Sequence, residues 1–257
     1  MPKCEGLLDR DEPEPVAITN PGGGSPFLLV GDHAGNAIPR KLNALGLSAK
    51  ERKRHIGWDI GVRSLGEMLA TKLDAVFVHQ RYSRLVIDCN REPASAEAIP
   101  EVSDGTHIPG NERLFDVDRS SRVESIHAPY HAEIAASLVE RARTDRPTIL
   151  IALHSFTPVM NGISRPWHIG VLQADGDTSF AHAMLTALRQ HGDIEVGDNE
   201  PYRMDSTDHT IPLHAIPAGL PYVELEIRQD LIADVDGQRA WADRVGCVLT
   251  SLTNWSN

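Results

Sequence analysis

Short, mainly apolar runs recur along the chain at 27–30, 75–79, 85–88, 148–153 and 167–172, and a strand-like segment alternating with Glu224 and Glu226 follows at 222–227. Runs of this length without alternation predict strands buried on both faces of a sheet. Between them lie segments with helical spacing. One starts near Ser48, where Glu51 three residues on completes a capping box, and continues through Ile56, Ile60, Leu65, Met68 and Leu69. Gly57 and Gly61 weaken its middle. Further helices are predicted over 123–143, 180–190 (closed by Gly192) and 237–252. Strands alternating with helices imply a mostly parallel central sheet covered on both faces, a three-layer α/β/α architecture. Residues 1–26 read as an irregular N-terminal arm and 27–257 as a single domain. The stretch 92–121 has little periodicity, and so long a loop is usually functional or mobile.

The polar residues matter for where these runs stop. In open α/β sheets, ligands bind beyond the carboxyl ends of the strands. Asp32-His33, Asp88-Cys89-Asn90-Arg91, His154-Ser155 and Glu224/Glu226 with Arg228 all sit at or near predicted strand ends. If the strands are parallel, these clusters share one rim.

His33 and His154 suit a metal, because neutral imidazole is a good zinc ligand and a catalytic zinc typically takes three protein ligands. A lone strand-end histidine is more often a hydrogen-bonded structural residue; two in one chain favour a metal. Asn36 is a poor third ligand. Asp59, in Trp58-Asp59-Ile60-Gly61, is the better candidate, and Asp32 is either another or a partner that orients a histidine ring. Glu224 and Glu226 alternate along one strand and share a face. A carboxylate there is costly unless it pairs or works, which makes Glu226 a candidate general base, with an ion pair to Arg228 as the other reading. Arg91, with Asn90 and Arg84, offers a planar fork for a carboxylate. For Arg84 a surface salt bridge is an equal reading. Ser155 lacks the Gly-x-Ser-x-Gly elbow of a nucleophile, and Gly22-Gly23-Gly24 precedes its strand and fits no phosphate loop.

The net charge of −11 argues against nucleic acid or an anionic membrane as partner. Three widely spaced cysteines, Cys4, Cys89 and Cys247, imply neither a disulfide framework nor a cysteine zinc site. With no signal-peptide pattern and no apolar run of membrane-spanning length, the expectation is a soluble cytoplasmic protein of unknown oligomeric state.

Several segments in this order resemble the N-formylglutamate amidohydrolase family. They are Gly31-Asp32-His33-Ala34-Gly35-Asn36-Ala37-Ile38-Pro39, Trp58-Asp59-Ile60-Gly61, Ser83-Arg84-Leu85-Val86-Ile87-Asp88-Cys89-Asn90-Arg91, Leu153-His154-Ser155-Phe156-Thr157-Pro158 and Glu224-Leu225-Glu226-Ile227-Arg228-Gln229-Asp230. That family is in turn similar to the zinc carboxypeptidases in its order of motifs. The resemblance implies a phosphorylase/hydrolase-like, zinc-carboxypeptidase-like fold binding one divalent ion, zinc. It implies His33, His154 and Asp59 as ligands, Glu226 as the base, and Arg84, Asn90, Arg91, His214 and Arg228 toward the substrate. Asn36 departs from the carboxypeptidase pattern, where a glutamate ligand stands. The implied partner is a small acidic amino acid derivative. The implied reaction is hydrolysis of N-formyl-L-glutamate to formate and L-glutamate, a step of histidine degradation. The alternatives are a relative that binds such a compound without turnover and a metal-dependent peptidase on short peptides.

Overall fold

The computed structural model describes residues 6–253. Seven strands form its central sheet: β1 Val16–Thr19, β2 Phe27–Gly31, β3 Val76–Gln80, β4 Ile149–Phe156, β5 Ile169–Leu172, β6 Val196–Asp198 and β7 Tyr222–Arg228. Their order is β1-β3-β2-β4-β7-β5-β6. Strands β3, β2, β4 and β7 are mutually parallel, β1 pairs antiparallel to β3, and β5 runs antiparallel to β7 and parallel to β6. The sheet is therefore mostly parallel, as the apolar runs imply. Part of the predicted arm is not irregular, since β1 closes one sheet edge.

The helices are α1 Ala49–Arg52, α2 Val62–Leu73, α3 Asp116–Arg122, α4 Ala128–Arg143, α5 Ser179–Arg189, α6 Thr210–His214 and α7 Val235–Ser251. Helices α2, α5 and α7 pack Leu65, Leu69, Phe180, Met184, Trp241 and Val245 on one face of the sheet with Leu29, Ile151 and Leu225. On the opposite face α4 packs Tyr130 and Ile134 against Leu28, Val30, Leu150 and Tyr222. Alternate residues of β2 and β4 thus feed two cores, which is why those strands carry no polar alternation before the rim, whereas β7 turns Glu224 and Glu226 into the cavity.

Two further expectations fail. The helix beginning at Ser48 has its capping box but stops at Arg52. The chain then turns until Gly61, whose φ of +87° starts α2. A Cβ there would stand 2.2 Å from the Ile232 carbonyl oxygen, so the glycine is needed for both conformation and space. Asp59 accordingly sits in a turn. Residues 85–88 are not a strand: Val86 N–H donates to Ser83 O and Asp88 N–H to Ala98 O, in a coiled segment. Leu85, Val86 and Ile87 are buried in the α4-side core, so their apolar character reflects packing rather than sheet pairing.

Among the described residues, no helix is long and apolar enough to cross a membrane. Cys89 and Cys247 are free thiols; Cys4 lies outside the described residues.

Candidate active site

The chain leaves β2 toward β3 on one side, while β4 lies on the other, so the carboxyl end of β2 faces a topological switch point. This is where open sheets leave a crevice. The loop after β2 stays tight because Gly35 lies against Arg81, where a Cβ would meet backbone at 2.1 Å. This turns His33 back over the sheet, and Asp59 N–H donates to His33 O at 2.9 Å. His154, within β4, is aligned with Glu226 of β7.

His33, Asp59 and His154 each bring one ligand-type atom within 4.8 Å of the others, and all three are buried. Asp59 Oδ2 lies 3.5 Å from His33 Nδ1 and 2.9 Å from His154 Nδ1. The remaining nitrogen of each ring faces a further carboxylate: His33 Nε2 to Asp88 Oδ1 at 2.7 Å, and His154 Nε2 to Asp32 Oδ2 at 3.2 Å. Carboxylates placed behind a ring in this way fix its tautomer and raise its basicity. Arg84 binds Asp88 Oδ2 through Nε and Nη2 at 2.9 and 2.6 Å and reaches to 3.6 Å from Asp59 Oδ1. Asp32 and Asp88 thus brace the rings.

The electrostatics of this floor suit a cation. Burial opposes ionisation of Asp59, but His33 and His154 hold it below the usual carboxylate range. Burial would also lower the two histidines; the carboxylates around them win and raise both. Burial pushes Glu224 up to about 7 and Glu226 well above its ordinary value, and Asp59 and Glu224 add to the effect on Glu226. His33 Nδ1 and Glu226 Oε2 are both buried without a hydrogen-bond partner. Buried orphan atoms of this kind need an ion or water. Two imidazoles and a carboxylate with braced rings match the donor set of zinc.

A cavity of about 640 Å³ opens over this floor, lined among others by His33, Asp59, Arg84, Arg91, His154, Tyr202, Arg203, Glu224 and Glu226. Of the residues expected to meet substrate, Arg84 and Arg91 face it, Arg91 with Nη1 3.1 Å from Asp208 Oδ1. Asn90 lines it too, but its amide is engaged: Oδ1 accepts from the His209 and Thr210 N–H groups and Nδ2 donates to Asp208. It orders the 205–210 loop. Two expectations are corrected. Arg228 lies outside the cavity, bound to Asp230 and to the carbonyls of Pro166 and Trp167, and does not pair with Glu226. His214 also stands outside it, 3.0 Å from His131 Nδ1. Ser155 N–H donates to Asp59 Oδ2 and its hydroxyl donates to Ile60 O.

Asn36 faces away from the floor and donates to Arg52 O at 2.7 Å, while Asp59 supplies the carboxylate. Sequence reasoning missed Asp88 as a ring partner, and missed Tyr202 and Arg203. The Asp at a predicted strand end before Asn90-Arg91 was the available signal for the first. For Tyr202 and Arg203, on a loop between β6 and α6, no signal stood out. Arg203 forms no ion pair among the described residues, and Tyr202 accepts from Arg165 Nη1 at 2.8 Å.

The sequence profile of the N-formylglutamate amidohydrolase family matches residues 25–233. No curated protein matches this chain. A gene product of Agrobacterium tumefaciens with a known crystal structure is similar: identity is 38%, the TM-score is 0.91, and the match covers 96% of this chain and 99% of that one. N-formylglutamate amidohydrolase from Ralstonia eutropha JMP134 shares the fold at 18% identity and a TM-score of 0.69, covering 95% of this chain and 98% of that one. With its profile match spanning the β2 floor through β7, this chain belongs to the N-formylglutamate amidohydrolase family.

Proposed function

We propose that this protein is a metal-dependent amidohydrolase that cleaves N-formyl-L-glutamate, or a close N-acyl acidic amino acid, to the free acid and the amino acid. The observation that carries this reading is the buried His33–Asp59–His154 group, each ring braced by a carboxylate, with the unpartnered Glu226 oxygen in the same cavity. Family membership supports amide hydrolysis as the reaction class.

His33, Asp59 and His154 would hold one divalent ion, zinc by donor type. When bound, such an ion supplies Lewis acidity to a carbonyl oxygen and to water. Glu226 is the proton carrier. It accepts a proton from the attacking water and returns it to the leaving amine nitrogen as the C–N bond breaks. A carboxyl group with a raised pKa suits the second role, and a nearby dication would favour the ionised form needed for the first. Arg84, Arg91 and Arg203 place guanidinium groups on a cavity whose other charges are mostly acidic, and they are the groups to receive substrate carboxylates. Arg84 also holds Asp88 and Asp59 in place. Asn36 gives no reason to expect an inactive relative, since Asp59 stands in its stead.

The test is a substrate panel on zinc-loaded protein: N-formyl-L-glutamate, other N-formyl and N-acetyl amino acids, and short peptides. Release of formate from N-formyl-L-glutamate, lost with a chelator and restored by zinc, is the expected result. Cleavage of peptides alone would place the protein with peptidases, and no turnover on any member with metal bound would overturn the reading.

A further inference from the structure

A second histidine cluster lies behind the cavity wall. His127 and His131 are four residues apart and face one side of the helical run that leads into α4. His209 precedes α6 and His214 ends it. Ring centroids are 4.5 Å apart for His127–His131, 4.9 Å for His131–His209, 5.3 Å for His127–His209 and 5.2 Å for His131–His214. His127, His131 and His209 each present a ring nitrogen, and the three nitrogens lie within 4.8 Å of one another.

The protons of two rings are placed by the backbone. His127 Nε2 lies 3.1 Å from Arg91 O, and His131 Nε2 lies 2.9 Å from Cys89 O. A carbonyl only accepts, so each Nε2 carries the hydrogen and each Nδ1 keeps a lone pair in the neutral ring. A ligand imidazole is held the same way, its second N–H donated to a carbonyl or carboxylate. Burial keeps these rings neutral, pushing His131 down to about 3 and His214 to about 4. His214 Nε2 stands 3.0 Å from His131 Nδ1. Since His131 Nδ1 keeps the lone pair, the hydrogen between these two nitrogens sits on His214 Nε2, and a metal at His131 Nδ1 would replace this hydrogen bond.

We propose that His127, His131 and His209 form a second metal site that takes an imidazole-preferring divalent cation such as zinc or cobalt. The all-nitrogen donor set selects against magnesium and calcium, which want oxygen. The ion ties α4 to the 205–214 segment. Through the Cys89 and Arg91 carbonyls it also steadies the segment that carries Asp88 and Arg91. Its role is structural, and it shares no ligand with the His33–Asp59–His154 group.

The test strips the full-length protein with a chelator and titrates it with cobalt alone, read by calorimetry and visible absorption. Two equivalents are expected for the parent. One equivalent is expected for His127→Gln/His209→Gln and one for His33→Ala/His154→Ala, the last with nitrogen-dominated coordination by X-ray absorption. Circular dichroism checks each fold, and His209→Gln alone, which alters a loop residue, substitutes if the double variant unfolds. An unchanged cobalt stoichiometry in the folded His127→Gln/His209→Gln or His209→Gln protein would overturn the site. The fate of the catalytic-site reading is read separately, from the His33→Ala/His154→Ala protein.

Discussion

Replacing Glu226 by glutamine removes one proton-carrying oxygen and almost nothing else. The side chain is 6% exposed, its Oε2 has no hydrogen-bond partner, and glutamine has the same shape, so no packing or bonded contact at that atom is lost. Burial already pushes Glu226 toward its neutral form in the metal-free protein, so an uncharged amide is tolerated there. The variant should therefore fold and bind metal as the parent does, because His33, Asp59 and His154 are untouched. Positioned general acid–base groups contribute about 10²- to 10⁴-fold to rate, which is about 3–5 kcal/mol of barrier at 1.36 kcal/mol per decade. The loss should fall on kcat, with KM nearly unchanged, since Arg84, Arg91 and Arg203, proposed to receive the substrate carboxylates, are untouched. The assay is steady-state formate release, with bound metal measured on the same samples. A Glu226→Gln enzyme with full metal content and more than about one-tenth of parental kcat would refute the assignment of Glu226 as proton carrier.

Two further outcomes concern the bracing of the site and the buried His214 beyond it. Asp88→Asn leaves His33 Nε2 facing an amide instead of a carboxylate and should weaken metal binding about 10- to 100-fold, the usual effect of removing such a partner; competition against a chromogenic chelator measures it, and unchanged affinity would contradict the bracing role. The depressed pKa of His214 gives a pH signature in metal-free protein. As pH falls below the ordinary histidine value of 6.5, the unfolded chain takes up this proton and the fold does not until about pH 4, so stability is lost across that window. His214→Gln should flatten the denaturation-derived stability profile there by up to about 1.4 kcal/mol per pH unit, one proton's worth; a slope equal to the parent's would show that the ring is not held neutral.

Strands β2 and β4 were legible because burial on both faces leaves an apolar run that ends at the polar residues of the rim, and that punctuation singled out His33 and His154; β7 and its Glu226 stood out instead by alternation. The same rule misread 85–88, because Leu85, Val86 and Ile87 are buried against α4 without joining the ladder, and apolar content does not distinguish the two cases. Arg228 follows the alternation of β7, yet hydrogen bonds to Pro166 O and Trp167 O, distant in sequence, decide where its guanidinium goes. Asp59 was recognisable as a candidate ligand, while the turn that delivers it depends on the contact between Gly61 and Ile232, which no local pattern encodes. The histidine cluster went unnoticed because only His127 and His131 share a helical spacing; His209 arrives from a loop.

The reversed direction of β5 has an architectural consequence. Strands β4 and β5 flank β7, and the chain passes from the rim end of one to the rim end of the other without descending to the far side of the sheet. The connection, with its small hairpin pairing Val159 with Ser164, therefore bridges the end of β7 as an arch, pinned by Arg228 at Pro166 and Trp167. Thr157 and Met160 of that arch line the cavity that holds Glu226. Its span can be lengthened, shortened or exchanged without altering any pairing of the central sheet. The arch is thus a natural grafting point at which the dimensions of the cavity can be retuned independently of the scaffold beneath.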